Sequence, residues 1–415
     1  MLATLALAAI LVGHPDTAQG TWWKGNLHTH TLWSDGDDYP EMVADWYKSR
    51  GYHFLALSDH NVLSQGEKWF DLSGSRGKGA VLEKYLARFG DAWVQTRIEG
   101  GKVQVRLRML PEMKAIFDEP GRFLMIQSEE ISAHHGDKPI HINATNIQEL
   151  IPPKQGTSVL DTMQKNVDAV NEQRTRTGVP MFPHINHPNF VWAITAEELM
   201  HLEGEKFFEV YNGHPAVHNY GDATHAGMER VWDIILTKRL AELKKDVMYG
   251  IAVDDAHNYH QNHISKANPG RGWVMVRSKK LHAHDLVHAM EDGNFYATSG
   301  VTLNDIRFDG RTLSVAVRPE RGVTYKTFFI GTRRGYDSSS KPVLGPNNEP
   351  LGVTMQYSAD IGQVLATVEG ASPKYTLKGD EIYVRARVVS SKPKSNPYAE
   401  GETEVAWVQP VVGRR

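Results

Sequence analysis

Asn26-Leu27-His28-Thr29-His30 is followed by Ser34-Asp35-Gly36 and then by Ser58-Asp59-His60. Side chains alternate along an extended strand, so a His-x-His pair sets two imidazoles on one face. An Asp shortly after, and a third His beyond one helix, make a nitrogen and oxygen ligand set. Such a set suits zinc, manganese or iron rather than a thiolate site. Outward from these residues the chain reads strand, helix, strand. Residues 25–30 form a strand ending at the ligands. Residues 40–50 read as a helix, with Pro40 in its first turn, apolar Met42, Val43 and Trp46, and Gly51 as its stop. Residues 53–58 are a short apolar strand with Asp59 and His60 at its end. Polar residues at strand C-termini of a β-α-β unit are where α/β barrels keep their chemistry.

The alternation breaks over residues 64–120. Residues 73–79 are a Gly/Ser/basic loop, and 81–97 have helical periodicity with Tyr85, Phe89 and Trp93. This stretch reads as an insertion beside the active face. Strands resume at 123–127, running into Ser128-Glu129-Glu130-Ile131-Ser132, and at 140–144, carrying His141. Further strands precede His184 and His187, end at Asn212-Gly213, and end at Asp254-Asp255-Ala256-His257. Helices are expected over 159–175, 227–245 and 283–291. From about residue 301 long helical periodicity disappears, and residues 306–315 read as strand, Asp-Gly turn and strand. The expected organisation is an α/β unit over 21–300 and a small antiparallel, β-sandwich-like domain over 301–415.

The 415 residues are 40% hydrophobic and 23% charged with a formal charge of −3, which argues for a soluble globular protein and against a general nucleic-acid or anionic-membrane binder. With 20 His and no Cys, disulfides and thiolate metal sites are both excluded. Leu2 to Val12 is apolar and uncharged, and mostly small or polar residues follow to Gly20. Residues 1–20 therefore read as a secretory signal peptide, giving a periplasmic or secreted protein. That run is too short to span a bilayer, and no other segment is long and apolar enough.

The candidate metal ligands are His28, His30, Asp35, His60, Glu130, His141, His187, Asp255 and His257. Most fall at or just after a predicted strand C-terminus, and parallel strands share one open end. Nine donors exceed one tetrahedral ion and suffice for two or three, with a carboxylate such as Glu130 bridging. Strand alternation sends Glu129 and Glu130 to opposite faces, so only one should meet the metals. His184 competes with His187. Asp254 is expected to turn away and orient a ligand His. Asn212 and Arg271 are candidate substrate contacts. His214 and the other remaining histidines read as surface or pocket residues.

In these motifs the sequence resembles the PHP (polymerase and histidinol phosphatase) metallohydrolases. The matching pieces are His28-Thr29-His30 with Ser34-Asp35-Gly36, Ser58-Asp59-His60, Glu130-Ile131-Ser132, His141, His187-Pro188 and Asp255-Ala256-His257, in family order. The resemblance implies a distorted (β/α)7 barrel with up to three divalent metals (zinc, manganese or iron) at its C-terminal face. It favours Glu130 over Glu129 and His187 over His184, and puts Glu130, Asp255 and His187 at the chemistry. It also implies three groupings: His28, His30, Glu130 and Asp255; Glu130, His141 and His187; Asp35, His60 and His257. Ser58-Asp59-His60-Asn61, Asn186-His187-Pro188-Asn189, Glu209-Val210-Tyr211-Asn212-Gly213 and residues 293–300 resemble the carbaryl-hydrolase-like branch.

The expected function is a hydrolase using metal-activated hydroxide, most simply a phosphoesterase acting on a small ester or phosphate. A carbamate or carboxylester hydrolase on the same site is the alternative. An amidohydrolase-type barrel also carries His-x-His, but the early Ser58-Asp59-His60 and the Glu130-Ile131-Ser132 pairing argue against it. A non-catalytic binding protein would be marked by a missing ligand, and none is missing.

Overall fold

The computed structural model describes residues 20–74 and 79–413. The leader expected over residues 1–20 falls almost wholly outside them, as does part of the loop at 73–79. The fold is mixed α/β, with a large sheet containing parallel strands and several small antiparallel sheets.

Seven strands of the large sheet position the candidate donors. In sheet order they are Tyr249–Val253, Phe207–Asn212, Phe182–Ile185, Lys138–Thr145, Leu124–His135, Phe54–Leu57 and Thr21–Asn26. Neighbours are parallel except around Lys138–Thr145, which is antiparallel on both sides. The expected strands at 123–127 and 140–144 are thus the arms of one long hairpin turning at Gly136 (φ +61°). Two bonds join the ends of this run above the strand C-termini: His30 N–H donates to Ala256 O (3.0 Å) and Asp255 N–H to His28 O (3.1 Å), about a parallel Thr29–Ala256 bridge.

Helices cover the outside where the sequence marks their ends. Val159–Thr177 starts at Ser158, whose side chain accepts from Asp161 N–H, and stops at Gly178 in the left-handed region. Met228–Lys238 buries Val231, Trp232, Ile234 and Ile235 against the sheet. It gives way to a wider turn over Arg239–Leu243, short of the residue 245 expected.

Three further differences from expectation have local causes. The helix expected over 81–97 ends at Phe89, because Gly90 takes φ +76° and Thr96–Glu99 is a strand. That strand joins Lys68–Asp71 and Lys102–Leu107 in a three-stranded sheet within the insertion. The insertion seats beside the donor loops: Lys68 donates to Trp33 O (2.5 Å) and Trp33 Nε1 to Arg108 O (3.1 Å). Trp273–Ser278, which the sequence reading leaves out, is a strand antiparallel to Thr21–Asn26. Finally, the large sheet continues past it through Phe295–Thr298 into Thr403–Val411, Glu381–Pro393, Tyr325–Arg333 and Gln363–Glu369. No helix among the described residues is long and apolar enough to cross a membrane.

Candidate metal centre

The loop after the first strand is pinned by Asp59. Its Oδ1 accepts from Thr31 N–H (2.8 Å), Ser34 N–H (3.1 Å) and Ser34 Oγ (2.6 Å), and its Oδ2 from Thr31 Oγ1 (2.8 Å). Gly36 closes that loop against the His30 backbone. A Cβ there would lie 2.6 Å from the His30 carbonyl carbon, so the turn that delivers Asp35 needs a glycine. His60 is delivered by a parallel bridge to Glu130, and His141 stands opposite Ser132 in the neighbouring strand. Asp255 (φ +50°) and His187 (φ +24°) both sit in strained backbone, as functional positions often do.

The nine expected donors lie close together, but in groups that differ from those expected: His187 stands with His28 and Asp255, and His141 with His60 and Glu130. His28 Nε2 lies 3.1 Å from His30 Nε2, 3.3 Å from Glu130 Oε2 and 3.3 Å from Asp255 Oδ1. His30 Nε2 is 3.2 Å from each of the same two oxygens. Ligands held by one ion at about 2.0–2.1 Å stand about 3.3–3.4 Å apart at the tetrahedral angle, and each carboxylate oxygen keeps about that spacing from both imidazole nitrogens. Glu130 Oε2 is buried, and His60 Nδ1 also lies 2.9 Å from it. If the His28 Nδ1 proton serves Glu209, 2.7 Å away, then His28 Nε2 offers a lone pair to the same point. Buried carboxylates crowded against imidazoles are costly unless positive charge lies between them; protons on His28 and His60 can supply it, and so could a cation.

The second carboxylate oxygen of Glu130 lies 3.0 Å from His141 Nδ1 and 3.3 Å from His187 Nε2, and accepts from Asn186 Nδ2 (2.8 Å). His30, Asp35, His60 and His257 form a further group, with Asp35 Oδ1 3.3 Å from His257 Nε2 and 3.7 Å from His60 Nε2. Electrostatics bind these groups together. Burial would raise Glu130, but His60, His28 and His141 hold it well below the usual carboxylate range. Burial would likewise raise Asp255, yet His28 and His30 hold it well below its ordinary value. Burial pulls His60 down, and Glu130 and Asp35 push it up to about 9. The cleft over the donors is about 250 Å3 and is also lined by Phe190, His214 and Asn258. A larger cleft of about 580 Å3, between Trp22, Tyr249 and Val408, holds none of the donors.

Glu129 faces away, as alternation requires. It accepts from Ile151 N–H (2.9 Å), and burial raises it to about 7. His184 is fully buried behind the centre, 3.3 Å from Glu209. Asn212 is not in the cleft; its amide donates to Glu209 (2.8 Å) and Asp255 (3.0 Å). Arg271 is not brought to the cleft either. Its guanidinium donates to the carbonyls of Gly213, Lys266 and His263. Asp254 turns away as expected but holds no histidine. It gathers Tyr47 Oη and the N–H groups of Gly270, Arg271 and Gly272, because the left-handed turn at Asp255 aims it at that loop. Glu209, which was not among the expected donors, is the acid that the sequence reading missed. His28, His184 and Glu209 form their own close group.

No protein-family model matches the chain, and no curated protein does. Solved structures give weak similarities. A two-domain protein from Bacteroides vulgatus containing a predicted PHP-like metal-dependent phosphoesterase aligns over 98% of this chain and 100% of its own, at 13% identity and a TM-score of 0.41. An amidohydrolase from Chromobacterium violaceum, with bound sulfate and no metal, aligns over 57% of this chain and 88% of its own, at 14% identity and a TM-score of 0.28. At such scores the functional reading rests on the site's own geometry.

Proposed function

We propose that this chain is a metal-dependent hydrolase of the PHP type acting on small phosphate esters. The observation that carries the reading is that Glu130 Oε2 and Asp255 Oδ1 each lie 3.2–3.3 Å from both His28 Nε2 and His30 Nε2, which are themselves 3.1 Å apart. Those four would hold one divalent ion. Glu130 Oε1, His141 and His187 would hold a second, and Asp35, His60 and His257 a third. Zinc, manganese and iron all accept such donors. Bound there, the ions supply Lewis acidity and a water acidified towards neutral pH.

The chain's own residues set the frame for that chemistry. Glu130 spans two positions with its two oxygens and so fixes their spacing. Asn186 and Asn212 hold the carboxylates of Glu130 and Asp255 in place. Phe190 adds an apolar ring to the wall of the cleft. Several closely spaced cation positions sharing a carboxylate suit an in-line displacement at phosphorus, where attacking and leaving oxygens both need neutralising.

Metal content by ICP-MS on anaerobically purified protein, with a panel of p-nitrophenyl phosphate, bis-p-nitrophenyl phosphate and naphthyl carbamate or ester, tests this. Two or three metals per chain are expected. Phosphoester turnover should fall in Glu130→Gln by more than the roughly 100-fold that loss of an outer partner costs. Turnover of the carbamate or ester alone would move the reaction to a carbonyl centre. At most one metal and no turnover, even after manganese or zinc reconstitution, would overturn the reading.

A further inference from the structure

His214 follows Asn212-Gly213 and lines the same cleft as the donors, yet it belongs to none of their close groups. Its ring stands 5.5 Å from that of His257 at 73° and 6.3 Å from that of Phe190 at 83°. The N–H of Ala216 donates to His214 Nδ1 at 3.1 Å. A nitrogen that accepts a backbone N–H carries no proton, so the neutral ring carries its proton on Nε2. Nε2 has no hydrogen-bond partner among the described residues and is not sealed in. It is therefore a donor open to the cleft.

The loop that carries His214 is held from several sides. His214 N–H donates to Asn212 Oδ1 (2.7 Å), and the same Asn212 amide bonds Asp255. Gly213 N–H donates to Val253 O (3.0 Å), and Arg271 donates to Gly213 O (2.8 Å). Val217 N–H donates back to His214 O (3.1 Å), while Tyr398, from the connection between the last two strands, donates to Val217 O. A donor fixed this firmly beside a centre of charge needs little reorganisation to meet an anion.

We propose that His214 is a substrate-contacting residue, its Nε2–H donating a hydrogen bond to an oxyanion in the cleft, a phosphoryl oxygen on the reading above. The proposal rests on that reading, and the test separates the two. Inorganic phosphate is titrated by calorimetry into the metal-loaded full chain, into His214→Ala and into His214→Gln, with metal content measured on each. His214→Ala should bind phosphate about 10- to 100-fold more weakly, the usual worth of a hydrogen bond to a charged group, with its metal content unchanged. His214→Gln, which keeps an N–H within reach, should recover most of that loss. In turnover, His214→Ala should raise KM and lower kcat together. Parental phosphate affinity in His214→Ala overturns the proposal, as does a Gln variant no better than the Ala variant. Loss of a metal equivalent in either variant overturns it by making His214 a ligand, and a metal-loaded parent that binds no phosphate overturns it too. A parent that binds metal and phosphate but hydrolyses no phosphoester sinks the phosphoesterase reading alone, and the comparison of the three affinities still decides the role of His214.

Discussion

At Glu209 one carboxylate oxygen lies 2.7 Å from His28 Nδ1 and 3.3 Å from His184 Nε2. The other accepts from His187 N–H (2.7 Å) and Asn212 Nδ2 (2.8 Å). Burial would raise this acid, but His28 and His184 bring it to about 2, so it is an anion that fixes which ring nitrogen of His28 faces the cluster. Glu209→Gln should fold normally yet lose about 10- to 100-fold in metal affinity, read by competition with a chromophoric chelator. Unchanged affinity would mean that His28 needs no orienting carboxylate. The nine candidate donors were legible because most stand at or near the end of an apolar strand within a local motif; Glu130 and His141, inside strands, were picked out by the family resemblance. Glu209 was legible only as an oddity, an acid inside the wholly buried strand Phe207–Asn212, and its partner His28 is remote in sequence. Glu205, just before that strand, shows the opposite electrostatics. Burial holds it well above its ordinary 4.5, and its Oε2 has no partner. Because the folded value exceeds the unfolded one, the favourable contribution is complete below about 4.5 and is lost as pH rises through the folded value. Relative to Glu205→Gln, the parent should therefore lose stability as pH rises from 4 towards 8, by roughly 1–3 kcal/mol. Denaturant melts of both proteins across that range check it, and parallel curves would show that Glu205 is ionised without cost.

Among the elements, the helix Met228–Lys238 is tied to the strand Glu381–Pro393 by charge as well as by packing. Arg385 donates through Nε (2.8 Å) and one terminal nitrogen (2.7 Å) to the two oxygens of Asp233, and through the other to Glu229 (3.0 Å). Tyr383 Oη donates to Asp233 as well (2.7 Å), and Arg385 is only 1% exposed. Removing one partner leaves a buried guanidinium half-paired, so Asp233→Ala should cost about 3–5 kcal/mol. Adding Arg385→Met should recover much of it, since two apolar residues leave no unpaired charge. A double-mutant cycle from urea melts measures both, and a double variant no more stable than Asp233→Ala would show that the pair matters through packing instead. None of this pairing was readable from sequence, because a buried Arg and a surface Arg look alike in a single chain. Element type was readable where periodicity was long, as for 159–175, which the structure extends to Thr177. It was lost where a single backbone dihedral decided the outcome, as at Gly90 in the helix expected over 81–97. It was lost again at Trp273–Ser278, a short strand directly behind the Gly/Pro-rich run 268–272 that reads as loop.

Across the whole molecule, the C-terminal strands complete the sheet that carries the donors. Phe295–Thr298 pairs with Thr403–Val411 on one side and with Trp273–Ser278 on the other. Gln409 bonds both the N–H (3.0 Å) and the carbonyl (2.8 Å) of Gly250, filling the ladder of the strand that ends at Asp254-Asp255. Trp407 packs against Tyr211 with ring centroids 5.3 Å apart, and Tyr383 joins the same core as Trp232. The tip of the hairpin reaches the donor end of the molecule, where Lys394 donates to Arg271 O (2.5 Å) and Tyr211 Oη (3.1 Å). Losing Trp407, Tyr383 and Val408 alone would forfeit about 1.5–3 kcal/mol each, a sum comparable with the ~5–15 kcal/mol by which a protein this size is stable. It would also bare the edge of Phe295–Thr298, an invitation to pairing between chains. A chain ending at Gly300 should therefore aggregate or lack near-ultraviolet circular dichroism, and should bind no stoichiometric metal. A soluble fragment that melts cooperatively and loads metal as the parent does would show instead that the strands after residue 300 are dispensable to the centre. The milder change Tyr398→Phe removes one tether of the His214 loop and leaves the sheet whole. It should leave the melting temperature within a few degrees while raising KM for a phosphate ester, and an unchanged KM would mean that the loop is held by Arg271 and Asn212 without help from the C-terminal strands.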